Sequence, residues 1–277
     1  MSSLTAVQFK RNEESRGGWE LYRSHRERVT GLLTTLATAG AHEICILGAG
    51  NCNDIDLRLL RDLGWQILLV DLDGDAMTAG LRTQGLVGSS GIELHPGVDV
   101  TGVFSDLSKL NADSSEEQVR ELAQRLVDVR GFEIARPCRI VASIGLLTQL
   151  IEAVIQTLGH QHPALVNLIQ AVRTQHLRLM FDLLEPGGSL LLTAEIVSSA
   201  TAPEIATIEE SRLPELLGRL FAQRNFFTGM HPGILAQTFQ QDPIVSRQLR
   251  QLTATAPWRW EFIFRTYAVC GFVAEKH

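Results

Sequence analysis

The sequence predicts an α/β fold, a doubly wound and mostly parallel sheet with helices on both faces. Three observations carry this. The apolar run 43–47 stops at Gly48-Ala49-Gly50 and then opens into Asp56-Leu57-Arg58-Leu59-Leu60, which reads as helix. Strand-like and helix-like periods alternate from there to about residue 197, and parallel strands need crossover helices of this kind. Near the end the rhythm breaks. Segments 258–264 and 266–273 are adjacent strands with no helix between them, so they form an antiparallel hairpin and at least one strand runs against the sheet.

The elements follow in order. Residues 14–39 read as one helix, with Trp19, Tyr22, Val29, Leu32, Leu33 and Leu36 at three- and four-residue steps. Arg16, Arg23, Arg26 and Arg28 lie on its other side. They form a solvated face, or else Arg26 or His25 reaches over the mouth of a site. The first strand is 43–47, the second 66–71, and the third lies near 92–100, ending in Val98-Asp99-Val100-Thr101-Gly102. Ser114-x-x-Glu117 predicts a capping box for a helix that turns Val119, Leu122, Ala123, Leu126 and Val129 inward. The fourth strand is 137–143. Leu146, Leu147, Leu150, Ile151, Val154 and Ile155 continue at helical period. After a polar break at 159–163, another helix carries Leu165, Leu168, Val172, Leu179, Met180 and Leu183. It stops at Glu185-Pro186-Gly187-Gly188, where proline cannot continue a helix and glycine supplies positive φ. The fifth strand is 189–195.

Composition excludes some classes of function. The chain has 277 residues, 45% of them hydrophobic, enough for one α/β domain of ordinary size with a sizeable core. A net charge of −6 argues against nucleic acid as the main partner. Cys45, Cys52, Cys138 and Cys270 show no C-x-x-C spacing and read as buried thiols of a reducing compartment. The N-terminus has no apolar signal-like core, and no apolar run approaches membrane-spanning length, so the expected location is cytoplasmic, with no membrane partner. His160 and His162 have no carboxylate or cysteine at ligand spacing, so no metal is expected.

The chemistry begins at the first strand. A strand that turns on glycine into a helix brings backbone N–H groups close to a ligand. Asp71 ends the second strand, 23 positions beyond Gly48 (71 − 48), where an acid accepts two hydrogen bonds from a ribose diol. The alternative for Asp71 is a strand-end turn residue, with Asp73-Gly74-Asp75 just after it. Together these features indicate a nucleoside-containing cofactor without saying which.

The series Leu47-Gly48-Ala49-Gly50, Val70-Asp71, Asp99, Val141-Ala142-Ser143, Leu184-Glu185-Pro186-Gly187-Gly188 and the closing hairpin resembles the class I S-adenosylmethionine-dependent methyltransferases. The resemblance covers roughly 41–197 and 258–277. It implies a seven-stranded sheet of order 3-2-1-4-5-7-6 with the last strand antiparallel, and S-adenosylmethionine as cofactor. It further implies that Gly48, Ala49 and Gly50 pass beneath the methionine part and that Asp71 holds the ribose, with Leu72 against the adenine. Asp99 would meet the adenine amino group, and Ser143 and Ile144 would line the site near the sulfonium. Asp99 also reads as a turn acid before Thr101-Gly102.

Two positions depart from the pattern. Many members carry an acid where this chain has Ile46, and the third glycine is Cys52. The methionine ammonium would then meet backbone carbonyls, Asn51 or Asp54, although Asp54 is equally an ordinary acid at a helix N-terminus.

The domain reading is a helical cap at 1–40, a cofactor domain at 41–197 and 258–277, and a helical lid or substrate insertion at 198–257. Within the insertion, Phe226, Phe227, Met230 and His231 suit either a mobile cover over a pocket or a packed surface loop. His231 is a candidate general base or a structural loop histidine. Glu195 is a candidate acceptor contact at the tip of the fifth strand, and Tyr267 and Trp260 read as hairpin core. Ser143-Ile144-Gly145-Leu146 replaces the Asn/Asp-Pro-Pro-aromatic element of many amino-group methyltransferases, which disfavours exocyclic-amine methylation of bases or glutamine. The expected activity is methyl transfer to a small-molecule acceptor. The alternatives are non-methyl transfer or lyase chemistry on the same cofactor, a catalytically silent binding subunit, and, more distantly, a nicotinamide dehydrogenase. The acceptor and the oligomeric state stay open.

Overall fold

The computed structural model describes residues 3–36, 43–129, 132–134 and 136–277. Two helices come first, α1 (Ser3–Ser15) and α2 (Arg23–Leu36). The expected single helix 14–39 is therefore broken. A Cβ at Gly18 would stand 3.0 Å from the Ser15 carbonyl and 3.1 Å from the Tyr22 ring, so the chain turns where glycine allows the approach. The end of that expected helix, 37–39, and the expected domain boundary between 40 and 41 lie outside the described residues.

The alternation then runs β1 (Glu43–Leu47), α3 (Leu57–Asp62), β2 (Gln66–Asp71), α4 (Gly74–Thr83), β3 (Ile92–Pro96), α5 (Phe104–Leu107), α6 (Glu116–Asp128), β4 (Cys138–Ile144), α7 (Leu146–Leu158), α8 (Leu165–Asp182) and β5 (Leu184–Ser198). The capping box of α6 is built by Ser115 and Gln118, one residue beyond the expected pair. Two 3₁₀ turns, Pro203–Ala206 and Glu210–Arg212, lead to α9 (Leu213–Ala222), α10 (Pro232–Gln241) and α11 (Val245–Gln248). The chain closes with β6 (Leu249–Ala254), β7 (Trp258–Phe262) and β8 (Arg265–Lys276).

The sheet has eight strands in the order β3-β2-β1-β4-β5-β8-β6, with β7 also on β8. Strands β1 to β5 pair in parallel, and β8 runs antiparallel to β5. The expected count of seven is corrected by β6, which lies inside the 198–257 insertion. β6 pairs with the end of β8 and β7 with its start, so the two lie end to end along one edge. Thr255 bridges the gap between them, its N–H donating to the Gly271 carbonyl at 2.8 Å. The expected order therefore holds, with its outermost position filled by two short strands.

Side chains alternate across the parallel strands. Ile44 and Ile46, with Ile140 and Ala142, face α2, α3 and α4, whereas Cys45, Leu47 and Val141 face α6, α7 and α8. Both faces are thus covered, as a parallel sheet requires. On the α8 side, Arg178 holds Asp242 through Nη2 at 2.8 Å and donates to the Val127 carbonyl at 3.0 Å, fixing α10 against α8 and the end of α6. Among the described residues, no helix is long and apolar enough to cross a membrane.

Candidate functional site

The site lies at the carboxyl ends of the parallel strands, where open α/β sheets bind ligands. After β1 the chain turns with Gly48 at φ +69° and Gly50 at +47°. A Cβ on Gly48 would come within 2.9 Å of Leu146. The Gly48 N–H donates to the Val70 carbonyl at 2.8 Å, and the Gly50 N–H to Asp71 Oδ2 at 2.8 Å. Asp71 Oδ1 accepts the Asp73 N–H at 2.7 Å. Burial raises the Asp71 pKa against the pull of these amides. Cys52, at the third glycine position, adopts φ +52° with its side chain buried. Behind the turn, a Cβ on Gly80 of α4 would stand 2.3 Å from the Asn51 carbonyl oxygen. Asp99 is folded back on its own loop, accepting from the Thr101 N–H at 2.9 Å, the Thr101 hydroxyl at 2.6 Å and the Phe104 N–H at 2.7 Å.

Helix α1 lies against this turn. Asn51 Nδ2 donates to the Asn12 carbonyl and Ser15 Oγ, and Asn53 Nδ2 to the Ser15 carbonyl. Asn12 Nδ2 reaches Asp73 Oδ2 at 3.1 Å, and Arg11 pairs with Glu152 of α7 at 2.9 Å. Gln8, Arg11, Asn12, Glu14 and Ser15 thereby wall a cavity of about 660 Å³ whose floor is the glycine turn, Asp71, Leu72 and Asp99.

The opposite end of the cavity is aromatic and acidic. Tyr22, Trp260, Phe262 and Tyr267 pack ring to ring, with Tyr22 5.3 Å from Trp260 and stacked on Phe262 at 5.5 Å. Glu195 is buried at the point where the register between β5 and β8 slips, an irregularity of the kind that re-aims a side chain. A Cβ on Gly145, which has φ +65°, would lie 2.9 Å from Glu195 Oε1. Burial lifts the Glu195 pKa to about 7, with the Thr148 hydroxyl pulling the other way. Asp54 is also lifted to about 7, by burial and by Glu195, against Arg26. Four atoms of this wall have no hydrogen-bond partner among the described residues: Tyr22 Oη, Asp54 Oδ1, Glu195 Oε1 and Trp260 Nε1.

Behind Asp54 stands His25, fully buried and stacked on Trp260 at 4.4 Å. Trp258 Nε1 donates to His25 Nδ1 at 3.0 Å, so the ring proton sits on Nε2, 3.7 Å from Asp54 Oδ1. Burial, reinforced by Arg26, lowers the His25 pKa to about 3 and keeps the ring neutral.

Of the residues singled out in the sequence, Gly48, Ala49, Gly50, Asn51, Asp54, Asp71, Leu72, Asp99, Ile144 and Glu195 line this cavity. Ser143 does not. Its hydroxyl is 2.8 Å from His176 Nε2 in the core under α8, because neighbouring strand residues point to opposite faces. His231 is not a cavity residue either. It caps α10, its Nδ1 accepting the Gly233 N–H at 3.1 Å, and stands behind Phe226, which does line the cavity. Arg26 and His25 do not reach the mouth; Arg26 lies on the Trp19 ring and donates to the Trp19 and Asn53 carbonyls. Trp260 and Tyr267, read as hairpin core, are cavity wall. Tyr22, Gly145 and Asn12 carried no motif that could have flagged them as site residues.

No protein-family model matches the chain, and no curated protein does. Among solved structures it is similar to an rRNA methylase from Streptococcus thermophilus, at 12% identity over 90% of this chain and 94% of that one, with a TM-score of 0.39. It is also similar to a SAM-dependent methyltransferase from Methanosarcina mazei, at 12% identity, 88% and 96% coverage and a TM-score of 0.44. A third is the magnesium protoporphyrin IX methyltransferase of Synechocystis PCC 6803 with bound SAH, at 11% identity, 91% and 81% coverage and a TM-score of 0.43. At these identities and scores the likeness carries no argument about chemistry, which rests on the residues of this chain.

Proposed function

We propose that this chain is an S-adenosylmethionine-dependent methyltransferase acting on a small-molecule acceptor. The observation that carries the reading is one cavity with two kinds of wall: a glycine turn flanked by Asp71 and Asp99, and an aromatic wall with unpartnered acids. The residues present fit the cofactor. Asp71 holds the ribose hydroxyls with lone pairs left over from its two amide partners, Leu72 covers the adenine, and Asp99 meets the adenine amino group. Ile46 is buried in the apolar layer, so the methionine ammonium would take its counter-charge from Asp54, a partly exposed residue of the cavity lining. When bound, the cofactor would supply an electrophilic methyl group on a sulfonium that serves as its leaving group.

The protein's part is alignment and exclusion of water. The rings of Tyr22, Trp260, Phe262 and Tyr267 keep the acceptor end dry, with α1 and the Phe226–Phe227 segment as cover. Glu195, with a pKa near the working range, takes a proton from the acceptor when one must be lost. A thermal melt with S-adenosylhomocysteine, with NAD as control, tests the reading. Ligand at about a hundred times its dissociation constant should add roughly 2.7 kcal/mol of stability. A shift with NAD alone, or with neither compound, would overturn it.

A further inference from the structure

We infer that the aromatic end of the cavity is a binding box for a cationic amine, so that the acceptor is a nitrogen compound carried as an ammonium ion. The identity of this molecule as an acceptor rests on the methyltransferase reading; the box itself does not. Two acids reach this wall, neither of them ion-paired to an arginine or lysine among the described residues, although Arg26 acts on Asp54 from a distance. Among the described residues Glu195 makes no ion pair, and the one basic group within 4 Å of Asp54 is His25, which is neutral. Around them Tyr22, Trp260, Phe262 and Tyr267 form one aromatic cluster with ring distances of 5.2 to 5.8 Å, Phe262 and Tyr267 being its more exposed members. Carboxylates set among aromatic rings are the arrangement that recognises ammonium groups. With Asp54 engaged by the methionine ammonium, an anionic acceptor would meet the buried Glu195 and a neutral one would leave it unpaired, whereas an ammonium satisfies it.

The remaining charged groups do not cancel the acids. Arg26 is turned away onto Trp19, Arg11 lines the cavity but is paired with Glu152, and Arg265 lines it as an exposed side chain 6.0 Å from the Tyr267 ring. Without a ligand, burial and the Glu195–Asp54 and Glu195–Glu152 repulsions raise both acids to about 7, so the pair is partly protonated near neutral pH. A bound cation takes over that role, so the O–H bond breaks and the proton leaves to solvent.

The test compares choline with its uncharged isostere 3,3-dimethylbutan-1-ol, by calorimetry on the full chain near pH 6.5, with and without saturating S-adenosylhomocysteine. Titrations in phosphate and in Tris report proton release. Choline should bind at least tenfold more tightly than the alcohol and release protons. Glu195→Gln should cut the preference below threefold and abolish the release, with the melt confirming that the variant is folded. Trp260→Leu should weaken choline at least fivefold, and serves alone if Glu195→Gln does not fold.

Equal binding of the two probes, or a preference that survives both substitutions, overturns the box. If S-adenosylhomocysteine fails to bind while the choline preference persists, the methyltransferase reading falls and the box stands. If S-adenosylhomocysteine binds and the preference is absent, the reverse holds.

Discussion

The two ends of the cavity are built on opposite principles. At the glycine turn the carboxylates of Asp71 and Asp99 are met by backbone amides from their own loops. At the aromatic end Tyr22, Asp54, Glu195 and Trp260 each leave a polar atom unpartnered among the described residues. The first end is stabilised by its own hydrogen bonds. The second carries a desolvation cost that its own hydrogen bonds do not offset. Substitutions at the turn should therefore weaken the fold, and substitutions that remove polarity from the aromatic end should strengthen it while removing function.

The largest test is Glu195→Gln. An unfolded glutamate titrates near 4.3, and Glu195 in the fold near 7. Between those values the folded chain holds a proton that the unfolded chain has lost, so stability falls as pH rises and levels off above 7. That loss is about 4 kcal/mol from this one group. His25 acts with the opposite sign, losing stability as pH falls from about 6.5 toward 3, so the difference between wild type and variant is the curve to measure. A difference curve that is flat with pH would break the contrast between the two ends.

Next comes Gly80→Ala. The added Cβ would overlap the Asn51 backbone, for which no rotamer change makes room. Overpacking of this kind costs about 2 to 3 kcal/mol, and urea unfolding should report it together with weaker S-adenosylhomocysteine binding. Full stability would mean that the turn yields easily and is not the rigid end.

Asp71→Ala should weaken S-adenosylhomocysteine by about 2 kcal/mol, or roughly thirtyfold, measured by calorimetry. Unchanged affinity would move the ribose contact to Asp73 or discard it. The smallest effect is expected of Trp260→Phe, which keeps a ring and removes an unpartnered N–H. It should raise stability by at most about 1 kcal/mol, and a clear loss would mean that the indole N–H has a partner after all.

The same contrast explains what was legible in the sequence. Gly48, Gly50 and Asp71 sit in short contiguous motifs whose chemistry is local, and they line the cavity as read. The parallel strands were legible because their apolar runs are continuous and bounded by glycine and proline. The capping box was missed by one residue because Ser114 and Ser115 are adjacent and Glu117 and Gln118 are both competent partners. Ser143 was misjudged although the two-residue period of a strand puts it on the side of Val141, opposite Ile144. His231 drew attention as a loop histidine, but Pro232 after it marks a helix start that its ring caps. The aromatic end was beyond reach, because it joins elements as distant as His25 and Trp258, 233 positions apart, and no local period encodes that meeting.

Helix α1 has a kinetic consequence. It walls the cavity and is fastened to the turn through Asn12 and Ser15. A ligand that fills the cavity lies against α1, so release of the helix from the turn should loosen the ligand's hold. Removing residues ahead of Arg16 should speed departure of S-adenosylhomocysteine in stopped-flow measurements. The helix would then be the clock of the site, setting residence time.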